Sequence, residues 1–194
     1  MKNNPFEIFK NWLQEAQNNK NIIEPTAMCL ATVDEQNRPS NRMVLLKTFD
    51  ERGFCFFTNL NSRKAGEIAK NKNAAICFYW GILGKQTRIE GVLEGVSKKE
   101  ADDYFVSRRR ESKIGAWASK QSSKIENEGD LEKRIKEFKE KFKNKDVPRP
   151  EFWSGFRLIP NKIEFWQEGD FRIHRRDLFS KDVNGNWVSK ILYP

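Results

Sequence analysis

A strand–helix junction near residue 60 brings cations and hydroxyl groups together. Thr58 ends a predicted strand, and Ser62, Arg63 and Lys64 begin the predicted helix that follows. Free backbone N–H groups and the helix dipole make the start of a helix an anion site. Two cations in the first turn oppose that dipole unless a phosphate lies between them. The junction therefore indicates a phosphate site, with a plain surface helix capped by Ser62 as the alternative.

Tyr104, Arg108 and Ser112 form a second polar cluster, at four-residue spacing. In a helix this spacing places the three side chains on one face. Two hydroxyl groups around a guanidinium suit a phosphate dianion. The alternative is an ordinary basic helix end, where arginines meet the negative end of the dipole.

Two predicted strands carry cations as well. Arg42 and Lys47 lie five residues apart, so a regular strand turns them to opposite faces, towards two ligands or towards one ligand and solvent. Arg172, His174 and Arg176 alternate and therefore share one face, and His174 is the only histidine of the chain. A row of two guanidinium groups and an imidazole is repulsive unless anions cover it, which favours a binding site.

The composition favours a single folded domain over residues 1–194. Hydrophobic residues make up 38% of the chain and aromatic residues 12%, too much apolar bulk for a disordered protein. No apolar run reaches the roughly 18 residues of a transmembrane helix, and the N-terminus lacks a signal-peptide core. Three cysteines in apolar runs indicate reduced core thiols. We expect a cytoplasmic protein with no membrane segment, disulfide or metal site.

The net charge of +9 leaves two interpretations open. A basic surface attracts phosphate-bearing partners, either nucleic acid or small molecules. Alternatively, the lysines are spread over solvated helix faces, as in residues 130–143, where Glu132 and Lys136 pair at four-residue spacing.

The hydrophobic periodicity predicts short strands joined by tight turns, with helices packed outside. We predict a helix over 5–18 and a short helix after Ser62 whose inward residues are Ala65, Ile68 and Ala69. We also predict a helical insertion at 98–143, which contains a helix in two pieces over 98–115 and a second helix over 130–143. Strands are predicted at 28–33, 43–46, 54–58, 74–80, 87–96, 155–159, 162–167, 171–178 and 187–192, the last four within a C-terminal strand region at 155–194. Asn184-Gly185 predicts the last hairpin turn. Closing a sheet of such strands into a barrel removes its exposed edge strands, so we expect a small antiparallel barrel.

Five sequence strings in register resemble the pyridoxine 5′-phosphate oxidase family, from about Pro5 to the C-terminus. They are Arg42–Lys47, Phe57–Lys64, Ile114–Ser123, Phe152–Arg157 and Ile163–Gln167, the last leading to Arg172-Ile173-His174. The resemblance implies a mainly β fold with peripheral α-helices, an antiparallel, Greek-key-like FMN-binding split barrel. It also implies a homodimer with active sites at the subunit interface, and neither nucleic acid nor a membrane as partner.

The resemblance also implies roles for individual residues, and no metal ligand. FMN would be bound by Arg42, Met43, Val44, Leu45, Leu46, Lys47, Phe57, Thr58, Arg63, Lys64, Gln86, Gln121, Ser122, Trp166 and Arg176. The substrate phosphate would be held by Lys47, Tyr104, Arg108 and Ser112, and the substrate ring would be covered by Arg172 and His174, the implied catalytic residues.

The implied reaction is oxidation of pyridoxamine or pyridoxine 5′-phosphate to pyridoxal 5′-phosphate, with O₂ as acceptor and H₂O₂ as product. Three internal residues depart from the family pattern: Phe57 replaces a usual Tyr, Arg109 a usual Pro and Arg175 a usual acidic residue. The alternatives are a flavin-reductase-type split-barrel protein with another substrate, and a non-catalytic protein that binds pyridoxal phosphate or RNA.

Overall fold

A computed structural model describes residues 4–194. Within that range five α-helices surround nine strands. The helices are α1 Pro5–Asn18, α2 Arg63–Lys70, α3 Lys98–Ser107, α4 Arg110–Ala118 and α5 Asp130–Lys141. The strands are β1 Ala27–Val33, β2 Pro39–Leu45, β3 Thr48–Asp50, β4 Gly53–Asn59, β5 Asn73–Trp80, β6 Lys85–Gly95, β7 Trp153–Gln167, β8 Arg175–Lys181 and β9 Trp187–Leu192. None of the helices in this range is both long and apolar enough to cross a membrane.

One curled antiparallel sheet contains all nine strands, as the mainly β split-barrel prediction requires. Its order is β2-β1-β5-β6-β7-β4-β3, and β8 pairs with β7 and β9. The two ends of this order meet at a corner of the chain. There Leu46 N–H donates to Thr26 O at 2.9 Å and Lys47 N–H donates to Cys55 O at 2.9 Å. Consecutive residues thus bond to opposite sides of the sheet, one to the residue before β1 and one to β4, and the curl closes at this corner.

Helix α1 packs against the interior of the curled sheet. Asn4 caps it by accepting a hydrogen bond from Phe6 N–H at 2.9 Å, and Pro5 fills its first turn. Phe9 is fully buried, and its ring lies 4.9 Å from that of Phe54 and 5.0 Å from that of Phe78. Burying one such side chain stabilises the fold by about 2–3 kcal/mol. The predicted helix over 5–18 is therefore confirmed.

Helices α3 and α4 are fixed to the rest of the chain by arginines. Arg157 of β7 donates to Glu100 of α3 at 2.5 Å and to Asp50 at 3.0 Å. Arg134 of α5 donates to the carbonyl of Ala118 at the end of α4 at 2.6 Å. Tyr104 lies on α3, Ser112 on α4 and Arg108 between them, so the arginine contacts also position that polar cluster.

Several sequence-based expectations differ from the structure. The predicted strands 155–159 and 162–167 are one strand, β7, because β6 pairs along almost its whole length and a bulge accommodates Pro160. The predicted strand 171–178 begins only at Arg175, because Phe171 and Arg172 adopt positive φ values of 54° and 66° in a turn. Ala69 is exposed, and the buried face of α2 carries Lys64 and Glu67 beside Ala65 and Ile68.

The bulge between β6 and β7 requires a glycine. Gly91 pairs with Pro160, and the register shifts between Glu90 and Gly91. A Cβ added at Gly91 would lie 2.0 Å from the carbonyl oxygen of Ile159 and 2.9 Å from Cα of Pro160. Only a residue without a Cβ lets these two backbones approach so closely.

We therefore predict that Gly91→Ala destabilises the protein by about 2 kcal/mol or more, because two backbones must separate. Gly66→Ala on α2 is the matched control, since no atom lies within 4 Å of its added Cβ. The control should be neutral or stabilising by about 0.5–1 kcal/mol. Urea denaturation measures both, and equal midpoints for Gly91→Ala and wild type would contradict the prediction.

Candidate functional site

A cavity of about 840 Å³ lies where the edges of β2 and β4 separate beyond the Leu46–Lys47 corner. Its size is typical of a cofactor or substrate site. Ser40 to Leu45 border it, so it runs along the edge of β2 that no other strand covers. The hydrogen bond from Leu46 to Thr26 shows that the backbone of Leu46 faces β1. Because successive residues of a strand direct their backbone groups to alternate sides, the N–H and C=O groups of Met43 and Leu45 face away from β1, towards the cavity.

Most of the predicted cofactor and substrate residues line this one cavity. They come from β2, β4, the start of α2, helices α3 and α4, and the loop after α4. The predicted residues that line it are Arg42, Met43, Val44, Leu45, Lys47, Phe57, Thr58, Arg63, Lys64, Tyr104, Arg108, Ser112, Gln121 and Ser122.

Arg42 and Lys47 both line the cavity, and the regular strand that would turn them to opposite faces ends at Leu45, before the corner. One expectation about how these residues are arranged was wrong. Arg108 is not on a helical face, because it ends α3 with an extended backbone at φ −74° and ψ 149°. Tyr104 of α3, Arg108 between the two helices and Ser112 of α4 nevertheless all line the cavity.

At the start of α2, Lys64 is buried among hydroxyl and amide groups. Its Nζ donates to Thr58 at 3.1 Å, Gln121 at 3.2 Å and Ser62 at 3.3 Å. Burial lowers the pKa of Lys64, and the nearby positive charge of Arg42 lowers it further. The Arg63 backbone N–H donates to the Ser122 hydroxyl at 3.2 Å. The helix start thus carries two cations and a bridging hydroxyl group, a donor set suited to an anion.

Arg42 and Arg63 share a buried carboxylate, Glu67, whose side chain is 6% exposed. Arg42 lies 2.9 Å from one carboxylate oxygen and Arg63 lies 2.8 Å from the other. Burial alone would raise the pKa of Glu67, but hydrogen bonds from Thr32, Ser40 and the two arginines lower it to about 2. Glu67 is therefore ionised at neutral pH, beneath the cations of the cavity.

Arg108 lies at the other end of the cavity with an unused donor. Its Nη1 is buried and has no hydrogen-bond partner among residues 4–194. The guanidinium lies 4.7 Å from the ring centre of Trp153 and 5.6 Å from that of Phe105, and burial lowers its pKa. A buried cationic donor without an acceptor is destabilising, so this geometry indicates an anionic ligand.

Three aromatic rings form the wall beside Arg108. Phe57 stacks on Tyr104 at 4.2 Å and on Trp153 at 5.4 Å. The ring of Phe57, rather than a hydroxyl group, makes these contacts. Replacement of the family's usual Tyr by Phe57 therefore leaves the wall intact.

The remaining predicted residues do not border the cavity. Leu46 is 4% exposed and packs in the core. Gln86, Trp166 and Arg176 form a row of neighbours across β6, β7 and β8. Trp166 lies thirteen residues beyond Trp153 on β7, a contour of about 40 Å. The structure therefore divides the predicted site residues into two groups.

Arg172 and His174 belong to the second group, on the turn before β8, and not on a strand face as predicted. Arg172 is exposed at φ 66°. The His174 ring lies 4.6 Å from the Trp166 ring, and its Nδ1 accepts a hydrogen bond from Gly169 N–H at 3.3 Å. The turn thus presents Arg172 outward and holds His174 against Trp166.

The Arg175 departure is compensated within β8. Arg175 pairs with Asp177 through contacts of 2.8 and 2.7 Å. Arg176 is held separately, by Glu164 at 3.0 and 3.2 Å and by the carbonyl of Tyr193 at 3.0 Å. The extra positive charge therefore has its own partner and does not compete for Glu164.

Two family models match nearly the whole chain. One, described as pyridoxamine 5′-phosphate oxidase, matches residues 14–142. The chain belongs to the pyridoxamine 5′-phosphate oxidase family. The second, described as the pyridoxine 5′-phosphate oxidase C-terminal dimerisation region, matches residues 153–194. Of the second group of predicted site residues, all but Gln86 lie within residues 153–194, which match this dimerisation region.

Relatives within this family match over nearly their full length. A pyridoxine/pyridoxamine 5′-phosphate oxidase from Pelagibacter ubique is 51% identical over 98% of this chain and 91% of its own. One from Nostoc punctiforme is 50% identical over 98% of this chain and 89% of its own.

Solved structures share the fold. PhzG from Burkholderia lata, in complex with tetrahydrophenazine-1-carboxylic acid, has a TM-score of 0.92 and 30% identity, covering 98% of this chain and 92% of that one. A pyridoxamine 5′-phosphate oxidase-related, FMN-binding protein from Nostoc punctiforme has a TM-score of 0.78 and 19% identity, covering 100% of both chains. The expected split-barrel fold is confirmed.

The structure adds residues that sequence reasoning missed. Glu67 stands four residues after Arg63, a spacing that indicates an ion pair on one helix face. Trp153 lies within a matched string but had no assigned role. Ser40, Asn59 and Ser119 also border the cavity, and nothing in their sequence context distinguishes them.

We predict that inorganic phosphate raises the melting temperature more than chloride at equal ionic strength, because it binds the cavity's cations in the folded state. Arg108→Gln should lose part of that increase. Arg38→Gln, at an exposed turn arginine paired with Asp34, should keep all of it. Scanning fluorimetry measures the three increases, and identical values for wild type and Arg108→Gln would argue against an anion site at Arg108.

Proposed function

We propose that this protein is an FMN-dependent oxidase that converts pyridoxamine and pyridoxine 5′-phosphates to pyridoxal 5′-phosphate. O₂ is the electron acceptor and H₂O₂ is a product with both substrates, and oxidation of the amine also consumes water and releases ammonia. The observation that carries the proposal is a single cavity lined by two cationic groups from different elements, one at the start of α2 and one at Arg108 between α3 and α4. Such a cavity accepts two phosphates, one from a cofactor and one from a substrate. The oxidases that are 47–51% identical to this chain support the assignment.

The donor set at the start of α2 fits the phosphate of FMN. Arg42, Arg63 and Lys64 supply positive charge, and Thr58 and Ser122 supply hydroxyl groups. The open edge of β2 offers backbone groups along the same cavity. When bound, FMN supplies the redox chemistry by accepting a hydride from the substrate carbon that becomes the aldehyde.

The substrate phosphate is assigned to Lys47, Tyr104, Arg108 and Ser112. The Nη1 of Arg108, which has no partner among residues 4–194, gives this group a donor that is free to bind a ligand. Trp153 and Phe105 hold the guanidinium in place by cation–π contacts. Fixing the phosphate sets the distance of the reacting carbon from the cofactor, which is the main catalytic contribution of this end.

Each site is proposed to be completed by a second copy of the chain. The cavity of their own chain is not lined by Gln86, Trp166, Arg172, His174 or Arg176. The match of residues 153–194 to a dimerisation region supports a homodimer. Across that interface, Arg172 and His174 would cover the substrate ring, exclude water and, through Arg172, stabilise negative charge that develops during hydride transfer.

The proposal includes a cytoplasmic location. Cys29, Cys55 and Cys77 are all free thiols, which is typical of a reducing compartment.

A second substrate class comes from PhzG, whose structure contains a tricyclic carboxylic acid. A carboxylate presents fewer acceptor oxygens than a phosphate. The cluster of Tyr104, Arg108 and Ser112 offers more donors than a carboxylate uses, and so favours the phosphorylated substrate.

We predict that the purified protein shows a flavin absorbance band that bleaches when pyridoxamine 5′-phosphate is added without air, because the flavin is reduced. Admitting air should restore the band. Dephosphorylated pyridoxamine is the control and should bleach it far more slowly. A band that persists with the phosphate would shift the assignment to another substrate, and no flavin binding at all would contradict the proposal.

The interface site predicts complementation between two defective variants. Arg172→Ala and Arg108→Ala should each lower turnover about 100-fold or more. A heterodimer with one subunit of each variant, purified through two different tags, should recover about half of wild-type activity because one of its two sites is intact.

The neighbouring variant Arg175→Ala is the control for Arg172→Ala and should keep near wild-type turnover, since Arg175 binds Asp177. Sites built within single chains would give the opposite result in the heterodimer, because each chain would then carry one defect. An inactive heterodimer therefore counts against a shared site.

A further inference from the structure

Glu67 is a buried acid that contacts two cations of the cavity, Arg42 and Arg63, and the charged residues that line the cavity are all cations. Its carboxylate accepts hydrogen bonds from Thr32 at 2.5 Å and from Ser40 at 2.8 and 2.9 Å. Arg42 and Arg63 complete the set at 2.9 and 2.8 Å. Both oxygens are therefore fully engaged, and the carboxylate repels any anion in the cavity, so Glu67 is not itself a ligand for phosphate.

The bonds around Glu67 also fix the plane of the Arg42 guanidinium. Its Nη1 donates to Thr32 at 2.5 Å and to the carbonyl of Leu30 at 3.2 Å, and its Nη2 donates to Ser40 at 2.6 Å and to Glu67. Thr32 is fully buried, so the network is anchored in the sheet. Lys64 depends on other partners, namely Thr58, Ser62 and Gln121.

Formal charges at this end of the cavity match a phosphate monoester. Arg42, Arg63 and Lys64 carry three positive charges between them, and ionised Glu67 removes one. The remaining charge of two equals that of a phosphate dianion at neutral pH, about −1.5 to −2. Without Glu67, three cations would repel one another whenever the cavity lacks its ligand.

We propose that Glu67 is a positioning residue that holds Arg42 and Arg63 in the orientation that binds the phosphate of FMN. The inference rests on the proposed function, because FMN is its ligand. Glu67 acts through the two arginines, and contributes nothing to binding of the flavin ring.

The test compares FMN with riboflavin, which has the same ring and no phosphate. Glu67→Gln should weaken FMN binding roughly 10-fold or more, because an amide NH₂ cannot accept the bonds that now orient the arginines. Riboflavin binding should change less than about twofold. Quenching of flavin fluorescence on binding gives both dissociation constants, and Glu132→Gln, at an exposed glutamate of α5, is the control.

The outcomes separate positioning from other roles. If Glu67 only reduces positive charge, Glu67→Gln binds FMN more tightly, and the proposal is wrong. Equal weakening of FMN and riboflavin shows a general structural role and also overturns it. If the wild-type protein binds neither flavin, the proposed function itself fails. If the wild-type protein and Glu67→Gln bind FMN with equal affinity, only this inference is overturned.

Two further variants keep the test valid if Glu67→Gln folds poorly. Thr32→Val removes the hydroxyl group that donates to Glu67 and accepts from Arg42, without altering the cavity wall. It should lower the affinity for FMN several-fold and leave the affinity for riboflavin unchanged. Arg63→Gln should lose less FMN affinity in the Glu67→Gln background than in wild type, because both changes disrupt one contact. Additive effects of Arg63→Gln and Glu67→Gln would show that the two residues act independently.

Discussion

Repulsion between cations at one end of the cavity is the constraint around which the site is built. Arg42, Arg63 and Lys64 meet where β2, β4 and α2 come together. The chain offsets their repulsion with one carboxylate and a set of hydroxyl groups rather than with several acids. A fully neutral cluster would be more stable without a ligand, but it would have no excess charge with which to attract an anion. Partial compensation therefore combines a stable fold with phosphate binding.

The curled sheet supplies the place where such a cluster is tolerated. Beyond the corner at Leu46 and Lys47, the edges of β2 and β4 diverge, so water or a ligand reaches the cations from one side. On the other side the carboxylate of Glu67 faces buried Thr32, where the low dielectric strengthens each hydrogen bond. Helix α2 bridges the two environments, since Arg63 and Glu67 stand one turn apart on it.

Sequence patterns predicted the helices and strands better than the irregular backbone between them, and most of the residues that the sequence singles out line one cavity. Helix α1 follows directly from the spacing of its apolar residues and from Pro5, and the strings of the resemblance locate most of the cavity wall. The errors occur where the backbone departs from regular structure. The corner at Leu46, the extended backbone at Arg108 and the left-handed residues Phe171 and Arg172 depend on tertiary contacts that no local pattern encodes. Glu67 was missed for a different reason, because its helical spacing to Arg63 is equally typical of an exposed ion pair.

The length of β7 links the fold to the proposed dimer. One strand carries Trp153, which borders the cavity, and Trp166, which does not, and it pairs with β6 along almost its whole length. In the proposed dimer, the β7 of a second copy would bring an equivalent Trp166 and the adjoining Arg172 turn to the cavity. Because β7 separates the two groups of predicted site residues within one chain, the proposed shared site is the arrangement that would bring both groups to one ligand.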